Sequence, residues 1–176
     1  MSEPLQAALA EQEIVIRTGT AADLGALALV MVRAYSERDN LSLPKSANQA
    51  AHDEIKFDFG TSDAWTYVAV KGDRIAGFAL GFPSSEATDI STDHQTDYLS
   101  LLMVEPGFWG HGIGNRLLDT IEDSVRSANK QRLVLWTRQA NNGRAQSIYE
   151  RRGYKRTGIT KQDGPYGPQY QYQLDL

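Results

Sequence analysis

The chain contains no cysteine. Disulfides, thiol nucleophiles and cysteine-based zinc sites are excluded, which fits a reducing, cytoplasmic setting. Histidine is scarce, at three residues. His52 and His94 read as surface residues rather than ligands, and no metal site is expected. No apolar run approaches the roughly 18 residues of a membrane-spanning helix, so no membrane partner is expected. Basic charge is not in excess: 18 Lys and Arg stand against 22 Asp and Glu, for a net charge of −4. A nucleic-acid footprint would need a basic stripe, and none runs through the chain. Met1 to Glu13 carries acids and lacks both a basic start and an apolar core, so it reads as a loose or short helical extension rather than a signal peptide.

What is present is an ordinary globular composition, 41% apolar and 23% charged over 176 residues. That is enough chain for one core, and residues 14–176 read as a single domain. Ile14 to Arg17 reads as a first strand. Thr20 precedes a helix from Ala21 to about Tyr35, with Leu24, Leu27, Ala28 and Met31 on one face. Residues 36–49 are polar, contain Pro44 and read as a loop before a short helix, Ala50 to Asp58. Trp65–Val70 and Arg74–Phe82 form a hairpin around Lys71-Gly72-Asp73. Gly77 and Gly81 lighten its second strand, as where something packs closely. Residues 83–96 make a polar connection. Tyr98 to Val104 is nearly all apolar, as a strand covered on both faces is. A helix from Gly112 to about Lys130 aligns Ile113, Leu117, Leu118, Ile121, Val125 and Ala128. Arg132–Thr137 is a strand, a short helix follows, and Tyr154–Thr160 with Tyr170–Leu174 closes the chain as a hairpin.

The run from Val104 to Leu118 carries the most chemical information. Glycines at 110, 112 and 114 bare the backbone at the start of an amphipathic helix, where N–H groups can face an anion. The first turn holds His111, Asn115 and Arg116 and no acid, although the helix dipole favours acids there. The turn is built to receive negative charge from a ligand, most simply phosphate; the alternative is a tight turn using glycine for its positive φ. A Walker loop would end in Gly-Lys-Ser/Thr, and this run has Gly114-Asn115-Arg116. A dinucleotide fingerprint would need a third glycine at position 115 and an acid ending the next strand, and neither is present.

The pattern that remains, Gly-x-Gly-x-Gly after a strand ending in Val-x-Pro, resembles motif A of the GCN5-related N-acetyltransferase (GNAT) superfamily. Trp109 departs from it, standing where Arg or Gln is commonest. A second stretch, Asn141 to Tyr154, resembles the family's motif B, Asn-x-x-Ala-x-x-x-Tyr-x-x-x-Gly-Phe/Tyr. Asn142, Ala145, Tyr149, Gly153 and Tyr154 fill every fixed position, one strand after motif A. A capped helix with a core tyrosine would explain Ala145, Ile148 and Gly153, but not that spacing.

The resemblance implies an α/β fold: a central mixed sheet with a splayed parallel strand pair and helices on both faces. It implies direct acetyl transfer from acetyl-CoA, as co-substrate, to an amine in a ternary complex. The loop Trp109, Gly110, His111, Gly112, Ile113, Gly114 and Asn115 would cradle the pyrophosphate. Leu102, Met103 and Val104 would pair with pantetheine through their main chain, and one such N–H can polarise the thioester carbonyl. Asn142 would hydrogen-bond the pantetheine arm or cap a helix, and Ala145 joins the cofactor-binding set. Tyr149 is the expected general acid for the departing thiolate. Asp97 is the expected base for the amine, with Glu54, Asp58 and His94 behind it. The cluster Arg144, Arg151, Arg152, Lys155 and Arg156 reads either as a solvated face or as attraction for the phosphates. Tyr35, Phe57, Phe59, Trp65, Tyr166 and Tyr170, with Glu37, Asp53, Glu54 and Asp58, suggest an aromatic pocket rimmed by acids, suited to a small cationic amine. The expected partner is a small-molecule amine. A protein N-terminus or lysine as acceptor, a non-catalytic acyl-CoA sensor and a nucleotide-binding regulatory domain are the alternatives, and a homodimer is left open.

Overall fold

The computed structural model describes residues 13–87, 90, 94–163 and 167–176. The expected N-terminal extension and Tyr166 lie outside the described residues, apart from Glu13. The elements are β1 (Ile14–Thr18), α1 (Leu24–Asp39), α2 (Ser46–Phe59), β2 (Trp65–Lys71), β3 (Arg74–Pro83), β4 (Thr96–Val104), α3 (Ile113–Ser127), β5 (Arg132–Arg138), α4 (Gly143–Arg151), β6 (Lys155–Asp163) and β7 (Gly167–Asp175). Among these, no helix is long and apolar enough to cross a membrane.

The seven strands form one mixed sheet in the order β1-β2-β3-β4-β5-β7-β6. Only β4 and β5 run parallel. Two separate apolar layers cover it. The stripe predicted for α3 packs with Tyr149 of α4 against Leu99, Leu133 and Leu135 on one face. Leu27, Ala28 and Met31 of α1, with Ile55 of α2, pack against Phe78, Leu80 and Leu101 on the other. Gly77 and Gly81 have the close neighbours their sequence suggested. A Cβ on Gly77 would stand 2.8 Å from the Met103 carbonyl, and one on Gly81 would stand 2.3 Å from the Trp65 ring.

The segment between the first two helices is shorter than its polarity suggests. Residues 36–39 extend α1 and residues 46–49 begin α2, so the expected loop from 36 to 49 shrinks to a short link. The last turn of α1 is polar, but its polarity is spent on contacts. Arg38 donates to both oxygens of Asp39, at 3.0 and 2.9 Å, and Arg138 of β5 donates to Asp39 at 2.9 Å. Asn40 then takes a left-handed conformation and ends the helix.

The decisive feature of the sheet lies in β4. Its register with β3 slips at Ser100, an extra residue between the pairs Gly81–Leu99 and Leu80–Leu101. Such a bulge resets the alternation of faces. Leu99 therefore joins the α3/α4 layer, and Leu101 joins the α1/α2 layer. The parallel pairing with β5 stops at the same point. It runs from Thr96–Arg132 to Leu99–Leu135 and ends there, although both strands continue.

Candidate active site

Beyond Leu99 and Leu135 the diverging strands open a cleft of about 460 Å³ through the middle of the sheet. Glu105 donates its N–H to Ala76 of β3 at 2.9 Å. Strand alternation therefore turns the amide groups of Met103 toward β3 and those of Leu102 and Val104 toward the gap. The Val104 carbonyl accepts the Trp109 indole N–H at 2.8 Å, which fixes that ring at the end of the strand.

The glycine turn stands beside this opening. Gly110 and Gly112 have φ of +85° and +76°, values that disfavour any residue with a Cβ. Cβ atoms placed on Gly110, Gly112 or Gly114 would meet nothing within 4 Å, so the space over the turn is empty. The helix begins with no side-chain cap and no acid in its first turn. Its first internal bond runs from Arg116 N–H to the Gly112 carbonyl. The N–H groups of Gly112, Ile113, Gly114 and Asn115 precede it and lack helical acceptors. Ile113 anchors the turn from below, with its side chain buried, while His111 and Asn115 are exposed. His111 Nδ1 lies 3.2 Å from the Trp109 carbonyl.

The basic cluster around α4 separates into distinct roles. Arg152 grips Glu122 of α3 at 2.9 and 2.8 Å and Asp119 at 2.7 Å. Tyr154 donates to the same Glu122 at 3.1 Å. Arg156 donates to the Tyr172 hydroxyl at 2.7 Å and lies 3.4 Å from Glu150. Arg144 stacks instead over the Trp109 ring, 5.5 Å from its centroid, and has no acid partner among the described residues. It lines the cleft next to Gly114 and Trp109.

Tyr149 also lines the cleft. Its ring packs 5.4 Å from that of Tyr154 and 6.1 Å from that of Tyr172. Its hydroxyl has no partner among the described residues, and burial pushes the phenol above its ordinary pKa. The group therefore stays protonated at neutral pH, as a donor must. Gln146 ties the start of α4 to β5 by donating to the carbonyls of Arg138 and Gln139, at 2.7 and 3.2 Å. Asn142 does not cap α4 with its side chain. It donates to Thr137 at 2.6 Å, leaving its amide oxygen without that bond, and it lines the cleft together with Ala145.

On the α1/α2 side the cleft is walled by Tyr35, Glu37, Glu54, Tyr98, Trp136 and Lys161. The Lys161 ammonium sits 4.6 Å above the Trp136 ring. Of the aromatic residues expected here, only Tyr35 takes this place among those described. Phe57 is 77% exposed, and Tyr170 packs under Arg156 at 4.0 Å. Trp65 is engaged with Asp97, whose carboxylate accepts the indole N–H at 3.0 Å and pairs with Lys130 at 3.3 Å. Asp97 is 4% exposed and lies outside the cleft lining, in the closed part of the sheet. The residue expected as the base thus lies beside the cleft rather than on its lining. Among the described residues, the carboxylates that line the cleft are Glu37 and Glu54.

Sequence reasoning passed over Ser100 and Trp136. Ser100 did leave a signal, as the lone polar residue in the apolar run from Tyr98 to Val104. Trp136 looked like one more core residue of β5, and only the end of pairing at Leu135 turns it into a wall.

A family model described as the acetyltransferase (GNAT) family matches residues 32–154. No curated protein matches the sequence. Among solved structures, the ribosomal-protein-S18-alanine N-acetyltransferase of Escherichia coli superposes with a TM-score of 0.73 at 18% identity, covering 93% of this chain and 94% of its own. A GNAT-family acetyltransferase from Staphylococcus aureus gives 0.71 at 18% identity, over 93% and 99%. The PaiA N-acetyltransferase of Thermoplasma acidophilum, solved with coenzyme A, gives 0.68 at 16% identity, over 93% and 99%. At these identities the likeness is one of fold.

Proposed function

The chain belongs to the acetyltransferase (GNAT) family, and from that premise we propose that residues 14–176 work as one N-acetyltransferase domain, moving an acetyl group from acetyl-CoA directly to a primary amine of a small molecule. One observation carries the reading: an uncapped, acid-free helix start under empty space opens onto the gap between two diverging strands, with Tyr149 on the gap's wall. The bare N–H groups from Gly112 to Asn115 hold the diphosphate, and the Arg144 guanidinium, steadied on Trp109, adds the cation that position 109 lacks. Leu102 and Val104 offer main-chain groups to the pantetheine arm, and Asn142 offers its amide oxygen. The acceptor enters from the α1/α2 face, and the thiolate that departs takes its proton from Tyr149.

A walled acceptor chamber supports a small amine over a protein chain. The Escherichia coli enzyme, whose name gives an alanine of ribosomal protein S18 as its acceptor, supplies the rival class. A panel of polyamines, amino acids, aminoglycosides and peptides, read by release of free thiol from acetyl-CoA, separates the two. Tyr149→Phe tests the acid. Turnover is expected to fall at least ~10-fold while coenzyme A affinity by calorimetry barely changes. Unchanged turnover would remove Tyr149 from the chemistry. Wild-type protein that binds coenzyme A but acetylates no amine would favour the acyl-CoA sensor. Thermal stabilisation by ATP or NAD, with none by coenzyme A, would point to a nucleotide-binding domain.

A further inference from the structure

Resting on the acetyl-transfer reading above, we propose that Ser100 and Asp58 form the relay that takes the proton from the acceptor ammonium. Ser100 is the first residue of β4 beyond the last rung shared with β5, and it is the extra residue of the bulge. It lines the cleft at the point where the strands part. Its hydroxyl donates to the Asp58 carboxylate of α2 at 2.5 Å, the length of a charge-assisted O–H···O bond. That bond places the hydroxyl on the α1/α2 face, from which the acceptor arrives. It also uses the serine proton and leaves the oxygen's lone pairs to accept.

Asp58 differs from three other aspartates whose side chains are largely out of solvent. Asp23, Asp39 and Asp97 each have a cation within 3.3 Å. Asp58 is half-buried, lies behind the cleft lining and has no cationic partner among the described residues. The titratable groups on the elements around it are His52, Asp53, Glu54 and Lys56 on its own helix, Arg33, Tyr35, Glu37, Arg38 and Asp39 on α1, Asp97 and Tyr98 on β4 and Arg74 on β3, and none of them pairs with Asp58. The inner face of β3 brings only Phe78, Leu80 and Phe82. Burial raises the proton affinity of Asp58, against the opposing effect of the Ser100 bond, and no charged neighbour contributes. A carboxylate kept only to tether α2 would gain from a cation; one kept to accept a proton is better without it.

In the step itself, an ammonium proton passes to the serine oxygen as the serine proton passes to Asp58. The freed lone pair attacks the acetyl carbon, the N–C bond forms and the C–S bond breaks. The thiolate takes the Tyr149 proton. The phenolate is restored, through water, by the second proton leaving the new amide nitrogen, and Asp58 releases the first to solvent.

The test measures kcat/KM against pH for wild type, Asp58→Asn, Ser100→Ala and Glu54→Gln, with an amine acetylated by the wild type. Coenzyme A affinity and thermal unfolding are recorded on the same preparations. The first two variants are expected to lose about 10- to 100-fold at neutral pH, with coenzyme A binding intact. The loss should shrink as pH rises toward the amine's own pKa of roughly 10, where the acceptor arrives already neutral. A purely structural tether would lose activity equally at every pH, and that result overturns the relay. So does wild-type activity in either folded variant, or the pH-dependent loss appearing in Glu54→Gln instead. Absence of acetylation by wild type overturns the acetyl-transfer reading and the relay with it, whereas wild-type turnover matched by the variants overturns the relay alone.

Discussion

Gly114→Ala should move stability and ligand affinity in opposite directions. Gly114 sits in the first turn of α3 with an ordinary helical φ, and a Cβ there meets no atom within 4 Å. The methyl therefore strains nothing in the free protein, and alanine is the better helix former by about 0.5 kcal/mol near a helix end. For a chain of this size that raises the melting temperature by roughly 1–2 °C. The same methyl projects into the cleft, where the diphosphate must approach the backbone. Losing one hydrogen bond to a charged group costs about 1.5–3 kcal/mol. Coenzyme A should thus bind roughly 10- to 100-fold more weakly. Gly112→Ala is the control: its φ of +76° adds about 1–2 kcal/mol of backbone strain, so both quantities should fall. Differential scanning calorimetry of the free protein and titration calorimetry with coenzyme A give the two numbers. Wild-type affinity in Gly114→Ala would refute the cradle. A loss of stability in that variant would show that the open space over the turn had been misread.

Arg144→Ala should weaken coenzyme A binding by about tenfold and flatten its salt dependence, both measured by calorimetry at two ionic strengths. Arg152→Ala strips the buried Glu122 of its bidentate cation, and urea unfolding should report a loss of roughly 2–4 kcal/mol. Asp23 tests the acid limb of stability. The Arg17 guanidinium, aided by Thr20, holds the Asp23 carboxyl down at about 2 against burial, which pulls it up. A carboxyl lowered by folding stabilises above its unfolded pKa of about 4, and that contribution fades as pH drops from there toward 2. The urea midpoint of Asp23→Asn should therefore lie below wild type at pH 6 and converge with it at the acid end.

The parts of the fold readable in the sequence were those written locally. The α3 stripe, the glycine turn and the α4 helix with its Gly153 end each occupy a short window, so periodicity and turn chemistry reveal them. The last turn of α1 escaped because its residues are polar, and what holds it helical is Arg138, 99 positions away from Asp39. The position of Asp97 is likewise set by distant partners. In sequence it heads the strand toward motif A, but its partners Trp65 and Lys130 lie 32 residues before it and 33 after it, and they place it in the closed part of the sheet. The extent of the opening was hidden as well. Whether β4 and β5 stay paired is set by a register slip against a third strand, and no pattern within either strand encodes that.

Among the described residues, four rungs from Thr96–Arg132 to Leu99–Leu135, with Gln95 accepting from Gln131 and Arg132 at their foot, join β1–β4 to β5–β7. The sheet is thus two leaves sharing a short spine, with α3 laid across the binding. Any widening of the mouth has to pivot at the Leu99–Leu135 rung, which makes the size of group admitted a matter of leaf angle as much as of wall residues. A substitution at that pivot would retune what fits twice over, through the angle and through the floor, because Leu99 and Leu135 also line the cleft.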